Sequence, residues 1–208
     1  MNRFELLYQE LNKLHPVKIR FKDESPFMQV LNLFVMGFCP TFLSEYTTVI
    51  GNTIYFPNRH YIDAKPESAM RTLAHEMVHV MDMSKWSPVV FNLSYLFPQI
   101  LAVGVFSFPW LGWWALLFLL FLLPIPAPFR AYFEVRAYAI DVLTSNPEYT
   151  KETLYHSASH FSSWNYYKMY PYPEVAREKI THWVKEAESG SDDILLKILL
   201  NYEMISEA

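Results

Sequence analysis

Two histidines and a glutamate form the most informative pattern in the sequence, His75-Glu76-Met77-Val78-His79. Side chains at positions i and i+4 of a helix lie on one face, about 5–6 Å apart at Cβ, so the two imidazoles can hold one Zn²⁺ at about 2.0–2.1 Å. Glu76 lies about 100° further round the helix, where it can accept a proton from water that the metal has made acidic. The alternative is a structural histidine pair satisfied by hydrogen bonds, which this apolar helix offers few ways to achieve.

A catalytic zinc site needs a third protein ligand and a fourth position left open. Glu134 is our candidate, because it lies on a predicted helix and is the first carboxylate after a long apolar run. Its alternative role is an ion pair with Arg130, one helical turn earlier. Five other side chains compete as ligands, namely Asp82, Asp141, His156, His160 and His182.

Three further interpretations concern these competing residues. Asp82 shares the face of His75 and His79 but lies one turn beyond them, which suits a carboxylate behind the metal ligands better than a ligand. His156 and His160 are four apart, so they form either a second metal site or a solvated helix face. His160, His182 or a nearby tyrosine is the candidate for stabilising an oxyanion, and the sequence does not rank them.

The spacing of apolar residues predicts the elements that position these side chains. A helix over 2–14, a strand over 17–22 and a helix from Pro26 to Gly37 come first, and strands 45–50 and 53–57 follow with a two-residue turn at Gly51-Asn52. The histidines then lie on a helix that ends near residue 84, with Asp63 as N-cap and Pro66 in the first turn. Later helices are predicted over 128–145, 148–162, 174–188 and 192–205, with an ordered aromatic loop over 166–173.

On these residues the chain resembles the gluzincin metallopeptidases. The resemblance implies that His75, His79 and Glu134 bind zinc, that Glu76 is the general base, and that one of the two predicted hairpin strands is an edge strand beside the substrate. It also implies an α+β fold with a zincin-like N-terminal subdomain and a mostly helical C-terminal part. The uncharged insertion is similar to that of the membrane-embedded branch related to the CAAX-processing and heat-shock membrane proteases. That branch has an aspartate four residues after its glutamate ligand, where this chain has Tyr138, and Asp141 is the candidate to supply that carboxylate.

Residues 86–129 contain no Asp, Glu, Lys, Arg or His, which is difficult to keep soluble as a surface loop. We predict two helices over about 89–108, with a kink at Pro98, and 110–123, forming a hairpin with tryptophans 110, 113 and 114 near its tip. Lys85, Arg130 and Arg136 flank its base, which favours a membrane-associated protein with the active site on the cytoplasmic side. The alternative is a hairpin buried within the protein or in a larger assembly, in a soluble cytoplasmic protein.

Composition limits the remaining possibilities. The 208 residues suit a single domain, 1–208, with 86–129 as an insertion. The net charge of −4 and the absence of basic blocks argue against nucleic acid as a partner. The single cysteine, Cys39, excludes a disulfide framework and fits a small core residue, and the N-terminus lacks the apolar stretch of a cleavable signal peptide. We therefore predict a zinc-dependent peptidase acting on peptides or proteins, or alternatively a non-catalytic zincin-like assembly protein that docks through its hairpin.

Overall fold

The structure is a computed structural model that describes residues 2–37, 40–145, 150–163 and 168–207. It is mostly helical and contains one three-stranded sheet, so the α+β prediction is confirmed at this level. Cys39 and part of the predicted 166–173 loop fall outside the described residues, and the interpretations made for them stay predictions.

The sheet has the strand order β1-β3-β2, with β1 at Lys18–Phe21, β2 at Thr48–Ile50 and β3 at Thr53–Phe56. The central strand β3 runs parallel to β1 and antiparallel to β2. The turn between β2 and β3 consists of Gly51 and Asn52, as predicted, and Gly51 adopts a φ of 57°, which glycine accepts without strain. Strand β2 is therefore an edge strand with one side free of strand partners in the described sheet.

Two helices lie within this N-terminal region. Helix α1 (Arg3–Leu14) begins with a capping box between Asn2 and Glu5, and it buries Phe4, Leu7 and Leu11. Helix α2 (Pro26–Val35) begins at the N-cap Ser25. In the chain it lies between β1 and the hairpin formed by β2 and β3. Both helices lie where the apolar spacing predicts them.

The helix that carries the histidines begins later than the sequence suggests. Asp63 is not its N-cap, because Asp63 lies inside the short helix α3 (Arg59–Ala64), which Asn58 caps. Lys65 separates the two helices, and α4 (Pro66–Trp86) begins at Pro66. Proline lacks a backbone N–H and disfavours a helical residue before it, so α4 begins at Pro66, and the short helix α3 before it is not among the predicted elements.

The uncharged segment folds as a helix followed by a hairpin of 3₁₀ helices. Helix α5 (Pro88–Leu96) precedes the first arm, Gln99–Ser107, and a short helix α6 (Phe108–Leu111) connects it to the second arm, Gly112–Leu122. The arms pack side by side, with Gly104 of the first directly against the ring of Phe118 in the second. We call Gln99–Leu122 the apolar hairpin.

The predicted hairpin and its break near Pro98 are thus present, but the arms are 3₁₀ rather than α-helical. By length and composition the stretch is apolar enough to cross a membrane, and only 6% of it is buried. Its largest outward side chains are Phe106, Trp110, Trp113 and Trp114, each more than three-quarters exposed.

The C-terminal part consists of helices α7 (Pro128–Leu143), α8 (Thr150–His160), α9 (Pro173–Glu188) and α10 (Asp193–Ser206), close to the predicted ranges. Helix α7 packs against α4 and α9, and α10 packs against α1 and α4. The main apolar core lies between these helices and the sheet. This packing places the buried face of α7 opposite the histidines of α4.

Candidate metal centre

The two histidines lie one turn apart on α4, and their ring centroids are 5.2 Å apart. The surrounding residues of the helix, among them Leu73, Ala74, Met77 and Val78, are fully buried. The apolar spacing of α4 therefore directs both imidazoles into the interior, toward α7.

Glu134 meets them from α7. Its Oε2 lies 3.8 Å from Nε2 of His75 and its Oε1 lies 3.6 Å from Nε2 of His79. One ligand atom from each residue lies within 4.8 Å of the others. Ligands at about 2.0–2.1 Å from a tetrahedral ion are about 3.3 Å apart, so a small contraction would bring these three to one ion. The group could hold a metal ion, as the sequence predicts.

The alternative role for Glu134, an ion pair with Arg130, is not found among the described residues. The guanidinium of Arg130 instead donates from Nε to the carbonyl oxygen of Tyr95 at 3.0 Å and from Nη2 to Oε1 of Gln99 at 3.3 Å. Glu134 is therefore left to face the histidines.

Side chains behind the candidate ligands hold two of them in place. Asp141 Oδ2 lies 2.8 Å from Nδ1 of His75. This contact places a carboxylate behind the ring of His75, where Asp141 is the predicted candidate. The hydroxyl of Tyr95 donates a short hydrogen bond to Oε1 of Glu134. Nδ1 of His79, by contrast, is buried without a hydrogen-bond partner in the part of the chain described.

The electrostatics of the cluster favour a cation. Burial lowers the pKa of His79 to about 4, so its imidazole is neutral, the form that binds metals. Burial also lowers the pKa of His75, but the charge and hydrogen bond of Asp141 outweigh this effect and raise it to about 10. Burial raises the pKa of Glu76 to about 7, against the lowering effect of His75. Three carboxyl groups, those of Glu76, Glu134 and Asp141, thus lie around the two rings. A divalent cation would neutralise their negative charge.

The cluster opens into a cleft made of two cavities that share Tyr46, Thr47, His75 and Glu76. One cavity has a volume of about 320 Å³ and is walled by β2 on one side and by side chains of α5 and α7 on the other: Phe91, Asn92, Tyr95 and Arg130. The second, of about 560 Å³, is lined further along by Tyr138, Asp141 and His160. Glu76 therefore lines both cavities of the cleft.

The remaining candidate histidines differ in whether they line the cleft. His160 lines the larger cavity, and the hydroxyl of Tyr138 lies 3.5 Å from its Nδ1. His156 is exposed, with its Nε2 3.0 Å from Nε2 of His160. His182 is 61% exposed and lies 3.9 Å from Glu186 on α9, away from the cleft.

The surroundings of Asp82 and Arg136 differ most from those that the sequence predicts. Asp82 is fully buried and accepts a short hydrogen bond from Nη1 of Arg136, whose Nη2 lies 2.6 Å from Asp192. The prediction that Asp82 stands behind the metal ligands is therefore wrong, because the packing of α4 against α7 pairs it with the buried guanidinium of Arg136 instead. Arg136, only 1% exposed, is equally unavailable as a charge at a membrane surface.

Sequence reasoning missed Tyr95 as a residue of the centre. It lies inside the uncharged segment, where neither spacing nor charge distinguishes it from the other aromatic residues. Only the packing of α5 against α4 and α7 reveals its contact with Glu134.

Comparisons of the chain with known protein families, with curated proteins and with solved structures find no match. The function is therefore inferred from the chemistry of the cleft.

Proposed function

We propose that the protein is a zinc-dependent peptidase that hydrolyses peptide bonds with Glu76 as general base. The observation that carries the proposal is the convergence of His75 Nε2, His79 Nε2 and the Glu134 carboxylate beside a cleft that Glu76 also lines. Two imidazole nitrogens and one carboxylate are a typical ligand set of catalytic zinc, and three protein ligands leave one position open. The arrangement is the one that the resemblance to gluzincins implies.

The protein residues would divide the chemistry as follows. Zinc bound by these three side chains supplies a Lewis acid that polarises a carbonyl group and makes water more acidic. Glu76 accepts the proton that water loses as its oxygen attacks the scissile carbonyl carbon. Glu76 then delivers that proton to the amide nitrogen, the C–N bond breaks, and the carboxylate is regenerated. Burial, which raises the pKa of Glu76, supports this role, because the carboxyl group must hold the proton before it delivers it.

The cleft suits an extended peptide. The edge strand β2 lines it through Thr48 and Val49, and a free strand edge can pair with the backbone of a substrate. Phe91, Tyr95 and Met169 add an apolar wall near the metal cluster, which favours apolar side chains next to the scissile bond. Tyr138 and His160 are the candidates for stabilising the oxyanion, since both line the cleft.

We further propose that the protein associates with a membrane through the apolar hairpin, with the cleft on the cytoplasmic side. The exposed, uncharged hairpin supports association with lipid. Lys85 and Arg130 are the basic residues that flank the uncharged segment 86–129 in the sequence, and basic residues beside an apolar segment favour the cytoplasmic side.

The test is hydrolysis of a quenched fluorescent peptide library by the wild type and by Glu76→Gln, with zinc measured in both by elemental analysis. Glu76→Gln should keep one zinc per chain and lose at least about 10²-fold in rate, whereas Glu178→Gln, an exposed change on α9, should resemble the wild type. Equal hydrolysis by the wild type and Glu76→Gln would contradict the mechanism. Tight zinc binding with no hydrolysis by the wild type would favour the non-catalytic alternative.

A further inference from the structure

We propose that the apolar hairpin enters only one leaflet of a membrane and thereby holds the metal cleft at the membrane surface. The substrates of the cleft are then polypeptide segments that emerge directly from the same membrane. This inference rests on the proposed peptidase function and adds to it the class of substrate and the geometry that selects it.

The surface of the hairpin has the chemistry of a lipid-contacting element. It carries no ionisable side chain, and many of its large aromatic and aliphatic side chains are exposed. Within each arm the backbone forms the hydrogen bonds of a 3₁₀ helix, and a backbone in hydrocarbon must be hydrogen-bonded internally. Three tryptophans near its turn, Trp110, Trp113 and Trp114, are more than three-quarters exposed. A monomeric soluble protein rarely exposes such a large contiguous apolar surface.

The length of the arms limits the depth of insertion. A 3₁₀ helix rises about 2.0 Å per residue, so the arms of 9 and 11 residues are about 18 and 22 Å long. The hydrocarbon core of a bilayer is about 30 Å thick and one leaflet with its headgroups about 20 Å. Because the arms lie side by side and the chain reverses between them, the hairpin matches one leaflet and is too short for two.

The base of the hairpin adjoins the wall of the metal cleft. Gln99, its first residue, accepts a hydrogen bond from Arg130, and Arg130 lines the cavity that contains Glu134. Just outside the hairpin, the rings of Phe97 and Phe129 pack with their centroids 5.9 Å apart. Arg130 therefore contacts both the base of the hairpin and the cleft, and a hairpin inserted to its base leaves the cleft near the level of the lipid headgroups.

A first experiment measures the depth of insertion. In a Cys39→Ser background, Trp113→Cys and Leu117→Cys each place one thiol in the hairpin, and Lys151→Cys places one on the exposed face of α8 as a control. The proteins are bound to vesicles of phosphatidylcholine and phosphatidylglycerol, and a membrane-impermeant maleimide is supplied outside or trapped in the lumen. Both hairpin thiols should be protected from both sides, while the control thiol reacts from outside. Labelling of a hairpin thiol from the lumen would show a spanning hairpin, and labelling from outside would show that lipid does not cover it; either result overturns the proposal.

A second experiment tests the class of substrate. A synthetic transmembrane helix followed by an unstructured segment of about 40 residues, roughly 130 Å when extended, is placed in the same vesicles, and cleavage sites are read by mass spectrometry. Cuts should concentrate within about ten residues of the membrane, a distance of roughly 30 Å. The same segment without its transmembrane helix and the same segment in reversed order control for sequence preference.

A hairpin variant separates docking from hydrolysis. Trp113→Ser combined with Trp114→Ser should cleave the free segment at the wild-type rate but the vesicle-anchored segment about 10²-fold more slowly, because shared attachment raises the effective concentration. Cuts spread evenly along the anchored segment, or no difference between this variant and the wild type, would overturn the inference while leaving the peptidase intact. Failure of the wild type to cut even the free segment would instead count against the proposed function, and the labelling experiment would still decide the depth of insertion.

Discussion

Oδ2 of Asp141 lies 2.8 Å from Nδ1 of His75, on the side of the ring opposite Glu134. A carboxylate in this position accepts the Nδ1–H hydrogen bond, fixes the tautomer of the ring and leaves the lone pair of Nε2 free for a metal. The two residues are 66 positions apart in the chain, so the contact exists only because α7 packs along α4.

The contact predicts that Asp141→Asn weakens metal binding. An asparagine still fills the space but removes the charge and the fixed acceptor, so zinc affinity should fall about 10- to 100-fold. Competition with a chromogenic chelator measures it, and Asp193→Asn, an exposed change on α10, serves as the matched control. Unchanged affinity in Asp141→Asn would show that this carboxylate does not support the metal ligand.

Tyr95 should support the third ligand in a similar way. Its hydroxyl donates to Oε1 of Glu134, and Tyr95→Phe removes that donor while keeping the ring that packs near His79. We expect zinc affinity to fall about 10-fold or more with little change in the free energy of unfolding. Tyr172→Phe, a change at a 66% exposed tyrosine, is the comparison, and identical affinities for the two variants would contradict the assigned role.

Arg136 should contribute to stability rather than to the metal centre. It is almost fully buried between Asp82 and Asp192, so Arg136→Ala would leave two carboxylates without their cation. Removing one member of a buried ion pair costs about 3–5 kcal/mol, whereas Arg177→Ala, at an exposed ion pair with Glu174, should cost about 1 kcal/mol or less. Denaturant unfolding monitored by circular dichroism compares them, and equal losses in the two variants would disprove the difference.

The same cluster predicts a pH dependence of stability. Burial raises the pKa of Asp82 from 3.8 to about 6, and Asp192 adds to the effect, although Arg136 and Lys85 oppose it. The folded state therefore binds the proton more tightly than the unfolded state, so the stabilising contribution is complete below pH 3.8 and is lost as the pH rises through 6.

Asp82→Asn removes this titration. The free energy of unfolding of the wild type minus that of Asp82→Asn should fall by about 2 kcal/mol between pH 4 and pH 7. Denaturant titrations of both proteins at several pH values measure the difference, in which effects common to the two cancel. A difference that stays constant, or that grows with pH, would mean that the pKa of Asp82 is not raised in the folded state.

Features that depend on residues within one or two helical turns of each other can be predicted from the sequence alone. The spacing of His75 and His79 places both rings on one helix face, Gly51-Asn52 fixes the two-residue turn, and apolar periodicity locates most helices to within a few residues. The absence of charge from 86–129 identified the hairpin, and the position of Glu134 after it identified the third candidate ligand. The Asp63 N-cap failed because two other local signals compete with it: Asn58 caps a short helix that includes Asp63, and Pro66 begins the next helix.

Which distant side chains become partners depends on how the helices pack against each other. Asp141 could have bound a metal, but it supports His75 instead; Asp82 could have supported the histidines, but it binds Arg136. Tyr95 contacts Glu134, which is 39 positions away in the chain. Nothing in the sequence distinguishes Tyr95 from the other aromatic residues around it. Helical periodicity states which face of a helix a residue occupies, whereas a hydrogen bond between helices depends on how they cross and on their axial offset. Those quantities are set by the packing of the whole core, because every buried charge must find a partner within it.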